Sequence, residues 1–358
     1  MADVLHVATR KGLLTFSRKA GEWRLERSDF LGEPVSMVLA DRRDGYLYAA
    51  LHLGHFGPKL WRSADAGEHW EEVVAPAFAA SADGQGPSVS MIWSLECGGV
   101  DQPQTLWAGT LPGGLFRSDD RGASWRLIEA LWQRPERAQW FGGGYDEPGI
   151  HSICVDPRDS ARLQVAVSCG GVWCSEDAGT SWACCTQGMR AAYMPPEQAE
   201  MPEIQDPHRM VACAAQPDTL WVQHHNGIFL SHDGAGHWRE IEGVEPSSFG
   251  FAVVVHPREA QTAWFVPAVK DECRVPVQQR LVVTRTRDGG ESFQCLGAGL
   301  PQKHCFDLVY RHGLAIDERG QCLAMGSTTG HLWYSADQGD SWQLLAGHLP
   351  PIHALRFA

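Results

Sequence analysis

Histidines and carboxylates cluster at three short stretches of the chain: Tyr145-Asp146-Glu147-Pro148-Gly149-Ile150-His151, Gln205-Asp206-Pro207-His208-Arg209 and Gln223-His224-His225-Asn226. Neutral imidazoles carried on separate rigid strands can share a divalent ion, and Zn, Mn, Fe and Ca are not distinguished by these residue types. His151, His208, His224, His225 and His353 are the candidate metal ligands. Asp146, Glu147 and Asp206 are the candidate acid and base groups, with Glu33 a further carboxylate able to complete a metal shell. Tyr145, Arg209, Gln223 and Asn226 are candidates for holding a ligand. A second theme is cationic. Arg10, Lys11, Lys270, Arg274 and Arg280 fall in loops, and Arg274 and Arg280 are candidates for gripping a carboxylate, phosphate or sulfate. Each residue also has a plainer reading, as a polar loop histidine with its own partners or a solvated loop cation. No compact H-E-x-x-H spacing is present.

These residues are far apart in sequence, so a repeated framework must bring them together. Six segments share the pattern S/T-x-D-x-G-x-x-W/F: Ser63–Trp70, Ser118–Trp125, Ser175–Trp182, Ser231–Trp238, Thr286–Phe293 and Ser335–Trp342. The fourth has Ala235 at the glycine position, with Gly236 one place later, and a worn seventh copy runs from Ser17 to Trp23. Successive terminal aromatics, at 23, 70, 125, 182, 238, 293 and 342, are 47, 55, 57, 56, 55 and 49 residues apart. A period near 50 with a turn signature marks a propeller. An Asp accepting backbone N–H groups and a Gly at positive φ suit a hairpin turn, and the aromatic can pack between sheets.

Each repeat reads as four strands, A to D, with the octapeptide between C and D. In blade 4 these are Ile150–Asp156, Leu163–Ser168, Gly171–Ser175 and Ser181–Cys185. Val4–Thr9 and Gly12–Phe16 align with strands B and C of the first repeat, whose strand A is missing, while residues 352–357 resemble a strand A without successors. The C-terminal strand is therefore expected to complete blade 1, making residues 1–358 one all-β, seven-bladed propeller with no free edge. The B–C loops and D–A connections share one face, the octapeptides the other. On the first face fall His151, His208, His304 and His353, placed at or before strands A of blades 4, 5, 7 and 1, together with His52, His55, His224 and His225. Long connections join them there: Glu71–Ser88, Arg126–Gly149, Ala183–Pro207 and the loop Lys270–Arg280, rich enough in aromatics to form packed lids.

The octapeptides resemble the Asp-box, or BNR, repeat of sialidase-like propellers over essentially the whole chain. The resemblance implies that the turns are structural and that ligands bind the opposite face. True sialidases have six blades and an Arg-Ile-Pro motif ahead of the first box; here the nearest string, Arg274-Val275-Pro276, lies in a late loop, so classical sialidase activity is not expected. Xyloglucan-degrading enzymes pair two seven-bladed domains of this kind, and this chain matches half of such an arrangement. Single propellers called glycosyl hydrolase-like or sialidase-like look similar, as does a seven-bladed photosystem assembly factor.

A net charge of −13 without a long basic run argues against nucleic acid as partner, and no stretch approaches eighteen apolar residues, which argues against a membrane span. No secretory leader is recognised at Met1-Ala2-Asp3-Val4, and the eleven cysteines contain no C-x-x-C pair, which together favour a cytoplasmic protein with reduced thiols. The expected function is that of a hydrolase, glycoside hydrolase-like, or a lyase, acting on a small polar or carbohydrate-like molecule with or without a divalent metal. The alternative is a non-catalytic module that grips a peptide or protein. Convergent His and Asp/Glu under aromatic lids favour the first.

Overall fold

Runs buried on both faces, such as Leu163–Val167 and Leu47–Leu51, have to be covered on both sides, and a ring of sheets stacked face to face does this. The computed structural model describes residues 3–80 and 86–358. They form seven antiparallel four-stranded sheets. The first strands of the sheets are Ile352–Phe357, Val35–Ala40, Met91–Cys97, Ile150–Val155, Pro207–Cys213, Gly250–Val255 and Leu314–Ile316, in blades 1 to 7. They lie side by side around the axis. Outer strands are short or polar, as in Glu22–Asp29 and Glu71–Val73, where one face meets water.

The ring closes as the repeat pattern requires. Ile352–Phe357 pairs antiparallel with Val4–Thr9, with Leu5 opposite Phe357 and Ala8 opposite Ala354. Leu355 and Phe357 then pack with Leu5 and Val7 of blade 1 and Leu332 and Ala315 of blade 7. Blade 1 thus holds both ends of the described chain, and the worn copy is a hairpin turn between Gly12–Lys19 and Glu22–Asp29 whose Trp23 meets Tyr334 of blade 7 at 5.1 Å.

In all six full octapeptides the first side chain donates to the Asp carboxylate and accepts a backbone N–H four residues on. For Ser118 these contacts are 2.8 Å to Asp120 and 2.8 Å from Gly122 N–H. The two central residues take successive positive φ angles, 58° at Arg121 and 82° at Gly122. In the fourth copy the glycine moves to the first of these places: Gly234 has φ 73° and Ala235 φ 77°, so the compensating glycine precedes Ala235, and Gly236 is not the substitute. The closing aromatics tie blade to blade: Trp125 Nε1 donates to Val74 O at 2.9 Å and Trp238 Nε1 to Cys185 O at 2.9 Å.

The long connections gather on the opposite face. Arg126–Gly149 carries a short helix at Glu129–Trp132, and Trp132 packs on Phe78 at 4.4 Å, while Trp140 packs on Trp173 at 5.7 Å. Of the Glu71–Ser88 connection, residues 81–85 lie outside the described residues. All eleven cysteines are free, and no helix among the described residues is long and apolar enough to cross a membrane.

Candidate functional site

All seven blades border one cavity of about 1210 Å³ at the mouth of the channel, on the face of the B–C loops and D–A connections. Its walls are aromatic, from Trp93, Phe141, Tyr145, Tyr193, Phe251 and Tyr310. Below it the channel is filled by polar groups that satisfy one another. Arg209 donates to His151 O at 3.1 Å and meets His312 Nε2 at 2.8 Å, and Arg356 pairs with Glu96. Burial lowers the Arg209 guanidinium to about 10 and drives both His151 and His312 well below the ordinary imidazole range.

The chemically distinctive corner is in blade 5. Asp206 is the last residue before strand Pro207–Cys213, His208 the second residue of that strand, and His225 lies in the tight turn after Gln216–His224. Because Pro207 pairs with His224 across the sheet, all three arrive together. Asp206 is 4% exposed. Its Oδ1 accepts Cys169 N–H at 3.0 Å, and its Oδ2 lies 3.4 Å from His208 Nε2 and 3.2 Å from His225 Nδ1. The three donor atoms sit within 4.8 Å of one another.

The protonation of His208 follows from its other nitrogen. His208 Nδ1 lies 2.7 Å from Gly250 O, a carbonyl that can only accept, so Nδ1 carries the hydrogen. Nε2 is then the nitrogen left facing the carboxylate, as a donor when the ring is protonated and as a lone pair when it is neutral. Burial lowers the His208 pKa, opposed only in part by Asp206. Burial alone would raise the Asp206 carboxyl, but His208 and His225 outweigh it and hold the group well below its usual range. A carboxylate oxygen and two imidazole nitrogens converging in this way can share a proton or hold a cation. Four ligands bound at about 2.0–2.1 Å in a tetrahedron stand about 3.3 Å apart. The separations of 3.4 and 3.2 Å match that spacing.

The structure distributes the other candidate residues unevenly. Tyr145 and Arg274 line the cavity; Tyr145 packs on Trp93 at 5.0 Å, and Arg274 pairs with Asp271 at 2.6 Å and reaches Tyr310 Oη at 3.3 Å. His353 also lines it, with Nδ1 held by Val35 O at 2.9 Å, in blade 1 and apart from the cluster. His151 is fully buried, and its nitrogens meet Ser152 Oγ at 2.9 Å and Pro207 O at 2.7 Å. His224 is likewise engaged, its two nitrogens facing the backbone N–H groups of Asp206 and Asn226. Gln223 is buried and donates to three backbone carbonyls, Asn226 bridges Ala192 and Glu240, and Arg280 reaches Gln302 at the surface. Asp146 and Glu147 are exposed on the loop above and are not part of the cavity wall.

One placement in blade 7 differs from the sequence reading. His304 is an exposed loop residue with φ 52°, and the first strand of that blade begins at Leu314. The residues entering the site there are Tyr310, Arg311 and His312, which sequence reasoning missed. Counting back from strand Leu323–Gly326 would have found them.

No family model matches the chain. Oligoxyloglucan-reducing end-specific xyloglucanase of Emericella nidulans is 24% identical over 161 residues, which are 40% of this chain and 18% of that enzyme. The GH74 xyloglucanase of Xanthomonas campestris superposes with a TM-score of 0.67 at 19% identity, over 96% of this chain and 53% of that one. YCF48 bound to D1 peptide superposes with a TM-score of 0.55 at 13% identity, over 87% and 80% of the two chains. The chain therefore spans about half of the bacterial xyloglucanase and under a fifth of the fungal one. At these identities the likeness is one of fold: a seven-bladed β-propeller with xyloglucanase-like and YCF48-like neighbours.

Proposed function

We propose that this propeller is a metal-dependent hydrolase acting on a small polar or carbohydrate-like molecule in the channel-mouth cavity, with a divalent ion held by Asp206 Oδ2, His208 Nε2 and His225 Nδ1. One observation carries the reading: the three donor atoms converge within 4.8 Å, and the Gly250 carbonyl, by holding His208 Nδ1, leaves Nε2 as the nitrogen turned to the carboxylate. Metal-binding histidines commonly donate their second N–H to a backbone carbonyl in this way. Three protein ligands facing a cavity leave a coordination position for water or substrate, the pattern of catalytic rather than structural zinc sites. An ion held by Asp206, His208 and His225 would supply Lewis-acid chemistry there, for polarising a substrate oxygen or activating water.

The protein's own groups supply the rest. Cys169 N–H and Ser168 Oγ steady Asp206 Oδ1, at 3.0 and 3.4 Å, leaving Oδ2 to the cluster. Tyr193, 4.5 Å from the His225 ring, limits its swing and shields it from water. A two-carboxylate glycosidase mechanism is less well supported. The other carboxylates on the cavity wall are Glu33, which is exposed, and Asp271, which Arg274 neutralises. Elemental analysis of protein purified without chelator, joined to a hydrolysis screen of glycosides, lactones and esters before and after chelation, tests the reading. Near-stoichiometric zinc or manganese with chelator-sensitive turnover is expected. Metal-free protein that takes up neither ion would end it.

A further inference from the structure

Arg311 stands just ahead of the first strand of blade 7 and is 7% exposed, yet its guanidinium makes no hydrogen bond or ion pair among the described residues. Its Cζ lies 4.7 Å from the centre of the Trp93 ring and 5.8 Å from that of Phe251. Its Nε is enclosed without an acceptor. The terminal nitrogens face the backbone of Gly144, where a side chain would start only 3.5 Å from Nη2. Other well-buried arginines here are paired, as Arg285 is with Gln294 at 2.6 Å and Asp340 at 2.8 Å. An arginine cannot shed its charge, so a buried and unpaired one is costly unless something else completes it.

The Asp206 charge offsets part of that cost without a hydrogen bond, and the missing acceptors have to come from the cavity, which Arg311 lines beside Arg274 and Tyr310. We propose that Arg311 is the anchor for an anionic group, a carboxylate or a phosphate, on the molecule that reaches the Asp206–His208–His225 cluster. The proposal names the substrate class of the reading above and rests on it. Arg274 approaches the same Phe251 ring, at 5.4 Å, and reaches Tyr310 Oη, on the residue preceding Arg311. The His208 ring stacks 4.5 Å from Phe251 and the Arg311 Cζ lies 5.8 Å from the same ring, so anchor and cluster are at most about 10 Å apart. A single acidic sugar or sugar phosphate spans that gap. With an overall charge of −13, the chain repels acidic polymers at its rim while a small anion can still reach the sunken cation.

Calorimetry and thermal shift at low salt with the whole protein, Arg311→Met and Arg311→Lys test this, using inorganic phosphate, D-glucuronate and neutral D-glucose as probes. At least one anion is expected to bind wild type better than glucose does. Arg311→Met should weaken that anion by about 30-fold, the share of one or two charge-assisted hydrogen bonds, and Arg311→Lys by less. Phosphate alone or glucuronate alone would say which oxyanion the anchor takes. Unliganded Arg311→Met should melt close to wild type, since loss of the contact with Trp93 is set against removal of a buried charge without a hydrogen bond. If it does not fold, Arg311→Lys decides by the same comparison. Anion binding absent from wild type, or equal in wild type and the variants, overturns the proposal. Zinc uptake separates it from the metal reading: Arg311→Met, having lost a cation near the cluster, should bind zinc at least as tightly as wild type, and absence of zinc binding in wild type itself would defeat that reading while leaving the anion result standing.

Discussion

Asparagine at position 206 keeps the shape of the side chain and removes the charge on which both imidazoles converge, so Asp206→Asn tests the proposed metal site. Stabilisation by a bound ion is RT ln(1 + [L]/Kd), about 2.7 kcal/mol when the free ion is at 100 times Kd. For 358 residues the unfolding entropy is about 0.75 kcal/mol per kelvin, so the ion should raise Tm by about 3 to 4 °C. Loss of one of three protein ligands is expected to weaken binding at least 100-fold, since even second-shell changes cost about 10- to 100-fold. At the same ion concentration the variant then gains only about 0.4 kcal/mol, near half a degree. Scanning calorimetry with and without chelator reads the difference. Manganese should be run beside zinc, because the eleven thiols of the unfolded chain bind zinc and blunt its shift. A shift in Asp206→Asn equal to that of wild type, or no shift in wild type with either ion, would refute the geometry argued for Oδ2.

Two further perturbations address the scaffold. His6 is buried in blade 1 against Thr15 Oγ1 at 3.1 Å, and burial lowers its pKa from 6.5 to about 4. The unfolded chain therefore takes up the proton first as pH falls; the stability is present above pH 6.5 and is lost toward pH 4, by about 3 kcal/mol. Urea titrations at pH 7.5 and 4 should show that loss, and His6→Asn should shrink it; an unchanged pH slope in the variant would contradict the assignment. Leu355, 1% exposed in the closing strand, packs in the cluster shared by blades 1 and 7. Leu355→Ala should cost about 2–5 kcal/mol in urea unfolding, the usual range for a well-packed core leucine. A cost under about 1 kcal/mol would mean that the closing strand contributes little.

The blade count and the closing strand were legible because they depend on local chemistry: a turn that needs Asp, two left-handed residues and an aromatic repeats wherever a hairpin repeats. Even the worn Ser17–Trp23 copy kept enough of it. The face shared by Asp206, His208 and His225 followed from the same alignment. The vacancies of individual nitrogens did not. His151, His224 and His225 are alike on the page, and only the backbone groups around them decide that the first two are consumed by the fold while the third faces the carboxylate. Arg311 was hidden for a related reason. An arginine in a loop is ordinary, and its significance lies in what it lacks among its described neighbours. In blade 7 the first strand is only Leu314–Ile316, too short to mark its own start, so a histidine upstream drew the alignment to itself.

The pairing of Pro207 with His224 has a mechanical consequence. The three proposed metal donors belong to one sheet and move as a unit, so a small rotation of one blade against the next leaves their mutual distances intact. The gap between them and Arg311, by contrast, spans blades 5 to 7 and changes with every such rotation. On the proposed reading, reactivity would be confined within a single rigid repeat, whereas selection among ligands would be spread over joints between repeats. Loops on blades 6 and 7 can be lengthened, shortened or recharged to admit a different molecule without disturbing the group that would act on it.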